Sequence, residues 1–226
     1  MNTRPTIIIC AGGAYEHLSV RESKPVARAF EEMGCKAEIL RYSVREAGQP
    51  PVGLAPVRQL AARVAKAKEN GEKVIVCGFS AGGHVAATLG VHWRRLDLCR
   101  PDALILCYPV ITAEAQYCNA ASLENVAGDA DRDFFSLERH VSPDTPPSFL
   151  WHTASDQSVP VENSLRFAAA LSRCKVPFEL HIYPKGAHGL SLATEEVAVP
   201  ERGLLPDAHV AGWIGECESW LEQLLI

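Results

Sequence analysis

Three residues in a particular chain order frame the chemistry open to this sequence. Gly78-Phe79-Ser80-Ala81-Gly82 has the form G-x-S-x-G, directly after the apolar run VIVC and before a helical pattern. A serine on such a tight strand-to-helix turn has its hydroxyl exposed, and small neighbours are needed because other chain segments pass close to it. A serine hydroxyl is a poor nucleophile at neutral pH. It needs a base, and the base needs a carboxylate to orient it. For a serine on this kind of turn the partners follow in the order Asp or Glu, then His. Asp156 and His188 meet that order, each on a loop just after an apolar strand pattern. Ser80 is therefore read as nucleophile, His188 as base and Asp156 as orienting acid. Asp144 precedes a strand and belongs at the opposite edge. Position alone leaves Asp129, Asp131 and Asp133 open. His152 and His181 lie within strand patterns, where a packed histidine is the ordinary reading, and His84 reads as structural.

Acyl transfer by such a serine also needs N–H donors aimed at the developing oxyanion. One donor is expected from the backbone of Ala81, the residue after the nucleophile. The other is expected from the loop Ala11-Gly12-Gly13-Ala14-Tyr15, with Gly13 and Ala14 best placed. Tyr15, Tyr108 and Trp151 are aromatic candidates for contact with a substrate, although core packing is the commoner use of such residues.

These residues need elements to hold them. Short apolar runs at 6–10, 37–42, 73–77, 103–107, 148–153 and 178–183 read as strands. Helical patterns fall at 24–33, 56–69, 82–89, 161–174 and 208–225. In the second of these, Val57, Leu60, Ala61 and Val64 share one face, while Arg58, Arg63, Lys66 and Lys68 cover the other. Strands alternating with helices predict parallel β-α-β units in a doubly wound α/β sheet of about six strands, with helices on both faces. Chemistry in such sheets lies beyond the carboxyl ends of the strands. The rhythm breaks at 111–147, read as an excursion beside the pocket. That excursion and the loop at 190–207 are the expected pocket walls.

The 226 residues suit a single domain, and 47 % hydrophobic with 22 % charged residues is an ordinary globular balance. A net charge of −5 offers no basic surface for nucleic acid. No run is long enough to cross a membrane, and the apolar run near the N-terminus is too short for a signal peptide. The eight cysteines contain no C-x-x-C pair and several sit inside apolar runs, which reads as reduced thiols in a cytoplasmic protein. No G-x-G-x-x-G, P-loop or H-E-x-x-H motif is present, so neither a cofactor nor a metal is expected.

Four stretches carry a resemblance to a known group. CAGGAYEHLSVRESKPVARAF, GFSAGGHVAATLG, SPDTPPSFLWHTASDQSVPVENSLRFAAAL and PFELHIYPKGAHGLSLA are similar to the oxyanion loop, nucleophile elbow, acid loop and histidine loop of small α/β-hydrolases of the acetylxylan-esterase-like (carbohydrate esterase) group. The similarity runs over nearly the whole chain. It implies a compact α/β-hydrolase fold and a serine esterase acting on short acyl esters, acetyl above all, of sugars or other small alcohols. It also implies the triad Ser80, Asp156 and His188 with oxyanion donors Gly13, Ala14 and Ala81. Two positions depart from the group: Ala11 stands where Pro or His is usual, and Ala14 replaces a third glycine. An alanine there is strained if its φ is positive. Two rival readings remain: a peptidase or amidase of the prolyl-oligopeptidase type, and a non-catalytic binding module on the same fold.

Overall fold

Alternation along the strands builds two cores at once. In β1 (Thr6–Cys10), Ile8 and Cys10 join one buried cluster while Ile7 and Ile9 join another on the opposite face. β3 (Val74–Phe79), β4 (Ala103–Cys107) and β5 (Ser148–Thr153) are buried along their whole length. That explains why they read as continuous apolar runs. β2 (Lys36–Ile39) and β6 (Phe178–Tyr183) form the edges, and the sheet runs β2-β1-β3-β4-β5-β6 with every pair parallel. The computed structural model describes residues 4–224.

Helices cover both faces. α2 (Ala55–Glu69), α3 (Ala81–His92) and α5 (Glu162–Arg173) pack on the face of Ile8 and Val76. α1 (Lys24–Glu32) and α7 (Trp213–Leu224) pack on the face of Ile7 and Ile75. The chain steps from β1 out to β2, returns past β1 to β3, then steps outward the other way. The reversal leaves a crevice at the carboxyl ends of β1 and β3, where a doubly wound sheet holds its ligand.

Some boundaries differ from the sequence reading. β2 ends at Ile39 because the edge strand peels away, and the Tyr42 hydroxyl turns back to donate to the Ala11 carbonyl at 2.5 Å. β3 runs on to Phe79, carrying the strand up to Ser80. The excursion at 111–147 holds the short helix α4 (Ala120–Val126), capped by the Asn119 side chain accepting from Ser122 N–H at 2.9 Å. The C-terminal helix is divided at Gly212 into α6 (Ala208–Ala211) and α7. Ile214 and Leu224, expected on its buried face, are half-exposed, and the expected final residue 225 lies outside the described residues.

Candidate active site

The strand-to-helix turn is tight enough to dictate its residues. A Cβ on Gly82 would lie 2.0 Å from the Cys10 carbonyl oxygen, and one on Gly78 would lie 2.4 Å from the Gly82 carbonyl oxygen. Ser80 itself has φ 51°, in the left-handed region that costs a non-glycine residue on the order of 1–3 kcal/mol. Its surroundings hold it there. Ser80 N–H donates to Cys107 at 3.0 Å, and its carbonyl accepts from His84 N–H and Val110 N–H, each at 3.1 Å.

Ser80, His188 and Asp156 are brought together in one line. Ser80 Oγ lies 2.8 Å from His188 Nε2, and His188 Nδ1 lies 2.6 Å from Asp156 Oδ2. Asp156 Oδ1 accepts from Ser158 N–H and Val159 N–H, each at 2.9 Å. Burial alone would push the Asp156 carboxyl up. Hydrogen bonds from His152 and His188, the charge of His188 and the Val159 N–H outweigh it and hold the group well below the usual carboxylate range. His188 follows β6 on a loop pinned to the end of β5, where Thr153 Oγ1 and Ser155 Oγ donate to the Gly186 carbonyl at 2.9 and 3.1 Å.

His152 is packed, as its place in a strand suggested, yet it also serves the site. Its Nε2 lies 2.9 Å from the Val159 carbonyl and 3.3 Å from Asp156 Oδ2, so the Nε2–H faces both oxygens and backs the carboxylate. His84 is fully buried. Its Nε2 faces the Phe135 carbonyl and its Nδ1 the Tyr15 hydroxyl, and burial brings its pKa down to about 4.

Gly13 and Ala14 line a cavity of about 240 Å³ together with Ser80 and His188. Ala81 opens α3, where a backbone N–H has no partner within the helix. Ala14 has φ 53° and Tyr15 φ 62°, so the loop takes the strained form that the Ala14 departure raised. Part of the cavity wall comes from the loops expected to supply it: Asn119 and Ser122 from the excursion, Arg202 and Leu204 from the later loop. Ser19 and Ser158 also line it and carried no sequence signal of that role. A second cavity of about 500 Å³ shares Ser158, His188, Arg202 and Leu204.

The three aromatic candidates are not in the cavity. Tyr15, Tyr108 and Trp151 are 1 %, 2 % and 0 % exposed and lie in the two cores. Strand register decides this for Trp151, which points into the layer beneath β5 and stacks on Trp213 with ring centroids 5.3 Å apart. Tyr108 instead sets its ring edge-on to His188, 5.1 Å between centroids. Elsewhere, Glu179, His181 and Glu216 bring possible ligand atoms within 4.8 Å of one another, and His181 Nε2 lies at hydrogen-bond distance, 2.7 Å, from Glu179 Oε1. All eight cysteines are free thiols. Among the described residues no helix is long and apolar enough to cross a membrane.

A parallel sheet of this order, with a strained serine at the β3–α3 turn, defines an α/β-hydrolase. Comparison with known proteins narrows the class. Residues 58–202 match the prolyl oligopeptidase family. A protein named endo-1,4-beta-xylanase B, from Butyrivibrio fibrisolvens, is 35 % identical over 213 residues, covering 85 % of this chain and 33 % of that protein. The chain spans about a third or less of the length of the curated relatives it matches. The structure of an acetyl ester-xyloside bifunctional hydrolase from Caldicellulosiruptor lactoaceticus superposes with a TM-score of 0.84 at 37 % identity, covering 98 % of this chain and 84 % of that one. A carboxylesterase from Lactobacillus plantarum gives 0.88 at 31 % identity, covering 99 % and 87 %. The chain belongs to the prolyl oligopeptidase family, and its relatives put it in the esterase group of α/β-hydrolases.

Proposed function

We propose that this chain is a serine esterase hydrolysing short-acyl esters, acetyl esters of sugars above all, as one catalytic unit. The observation that carries the reading is the unbroken line from Ser80 through His188 to Asp156, opening into a small polar cavity. Asp156, held ionised, accepts from His188 Nδ1–H and leaves the Nε2 lone pair facing Ser80. Ser80 attacks the ester carbonyl as His188 takes its proton. Backbone N–H groups of Gly13, Ala14 and Ala81 receive the charge that develops on the carbonyl oxygen. The tetrahedral adduct collapses, His188 protonates the departing alcohol, and an acyl-enzyme remains on Ser80. Water then attacks the acyl group with His188 again as base, releasing the acid and restoring the serine.

The cavity lining supports a polar alcohol. The first cavity holds Ser80, and Ser19, Asn119, Ser122 and Ser158 offer hydroxyl and amide partners for a sugar. The relatives that carry esterase and xylan-related names agree with this reading.

The test compares wild type with Ser80→Ala across p-nitrophenyl esters from acetyl to octanoyl. The expected result is Ser80-dependent turnover, down by about a thousandfold or more in the variant, with rates falling steeply as the acyl chain lengthens. A flat chain-length profile would remove the short-acyl assignment. The match to the prolyl oligopeptidase family keeps one other reading in view, a peptidase. A chromogenic dipeptide amide cleaved faster than the matching ester would favour it.

A further inference from the structure

Glu22 plays no part in the chemistry described so far, yet it is a carboxylate only 3 % exposed beside the nucleophile. A buried carboxylate persists only where its charge is well met by hydrogen bonds. Glu22 Oε2 accepts from Gly12 N–H at 2.7 Å, and Oε1 accepts from the Tyr108 hydroxyl, also at 2.7 Å. The Tyr108 oxygen in turn accepts from Ser191 N–H at 2.9 Å. Ser191 Oγ donates to the Arg21 carbonyl at 2.7 Å, and Trp213 Nε1–H donates to the Ser191 carbonyl at 3.0 Å. A second tie runs parallel: the Arg21 guanidinium donates to the Gly189 and Val197 carbonyls at 2.7 and 2.5 Å.

These contacts join two loops that share no strand. Gly12 begins the segment carrying Gly13 and Ala14, and Ser191 lies three residues after His188. Both loops, and Tyr108 between them, carry strained backbone beside the network. Ala14, Tyr15, Tyr108 and Ser191 all have φ between 38° and 62°. Such conformations persist only where surrounding contacts over-determine them. Burial and the Glu22 charge push the Tyr108 phenol well above its usual range, so its proton stays in place to donate.

We propose that Glu22 and Tyr108 are positioning residues: a buried brace that locks the oxyanion-hole loop to the histidine loop and so fixes the N–H donors relative to His188 and Ser80. The proposal rests on the esterase reading above. Glu22 lines the cavity that holds Ser80, but its carboxylate oxygens are committed to Gly12 N–H and the Tyr108 hydroxyl, not to the reacting atoms. The brace acts on the geometry needed in the transition state, where a donor displaced by a few tenths of an ångström loses much of its worth.

Glu22→Gln keeps the shape but cannot accept from both donors, and Tyr108→Phe keeps the ring against His188 while deleting the link to Ser191. Each variant is measured on p-nitrophenyl acetate well below its unfolding midpoint. The expected result is a kcat lowered by about 10- to 100-fold with KM little changed. Inhibition by a small alkylboronic acid, which forms a tetrahedral adduct on serine, is expected to weaken by the same factor. The double variant should lose less than the product of the two single losses, because each breaks the same chain of bonds. Variants that are folded, with kcat and boronate affinity within about twofold of wild type, would overturn the brace while leaving the esterase reading intact. A wild type with no Ser80-dependent turnover would overturn the esterase reading and the proposal together.

Discussion

Asp156 shows how much of a buried carboxylate's behaviour its neighbours decide. Four donors meet one buried carboxylate: two backbone N–H groups, His188 and His152. Asp156→Asn keeps the shape but offers an amide N–H or a neutral oxygen to His188, so the ring loses its tautomer and its counter-charge. Its kcat on p-nitrophenyl acetate should fall by about ten-thousand-fold, with the protein still folded. A variant of full activity would show that another carboxylate orients His188. The line from Ser80 through His188 to Asp156, and the placing of Gly13 and Ala14 beside it, were legible in the sequence, because chain order and strand placement restrict them severely. Glu22 was not, since a glutamate on a turn looks the same whether it faces water or a Gly12 N–H. Tyr15, Tyr108 and Trp151 were misplaced for a related reason. Residue type does not say which face of the sheet is already occupied, and their rings are packed within the cores rather than in the cavity.

Among the elements, the β3–α3 turn tolerates least change. Gly82→Ala would drive a methyl group into the Cys10 carbonyl at the end of β1. Backbone cannot yield there without moving the loop that carries Gly13 and Ala14. Denaturant unfolding should register a loss of about 2 kcal/mol or more, on the scale of other overpacked sites, and any folded fraction should have low activity. The central strands were readable because burial on both faces leaves an uninterrupted apolar run. Edges and excursions were not. β2 is half-exposed and short, and α4 spans only seven residues, AASLENV, too few to declare a period. The break at Gly212 was likewise hidden, because the apolar spacing of Val210, Trp213 and Cys217 continues across it.

For the molecule as a whole, two buried histidines, His84 and His92, contribute to the response to acid. Burial lowers the pKa of both His84 and His92 to about 4, against an ordinary value near about 6.5 in the unfolded chain. Above about pH 6.5 both states hold these groups neutral and nothing is lost. Between there and pH 4 the unfolded chain takes up protons that the folded protein refuses, so stability falls as pH falls, and the contribution levels off below the folded pKa. Denaturation midpoints measured down that range should slope with about two protons' worth of uptake, and His84→Gln should remove about one of them. A slope unchanged in the variant would mean that the loss arises elsewhere. The parallel sheet has a different consequence, for how the molecule comes into being. With no hairpin anywhere in it, each strand pair closes over an intervening segment of chain. Thr6 meets Val74, and Ser80 meets His188 across 108 residues. Helices can form early from local contacts, but such distant pairings are slow to close. The proposed hydrolytic activity should therefore return after helical circular dichroism during refolding, which makes that activity a reporter of completed topology.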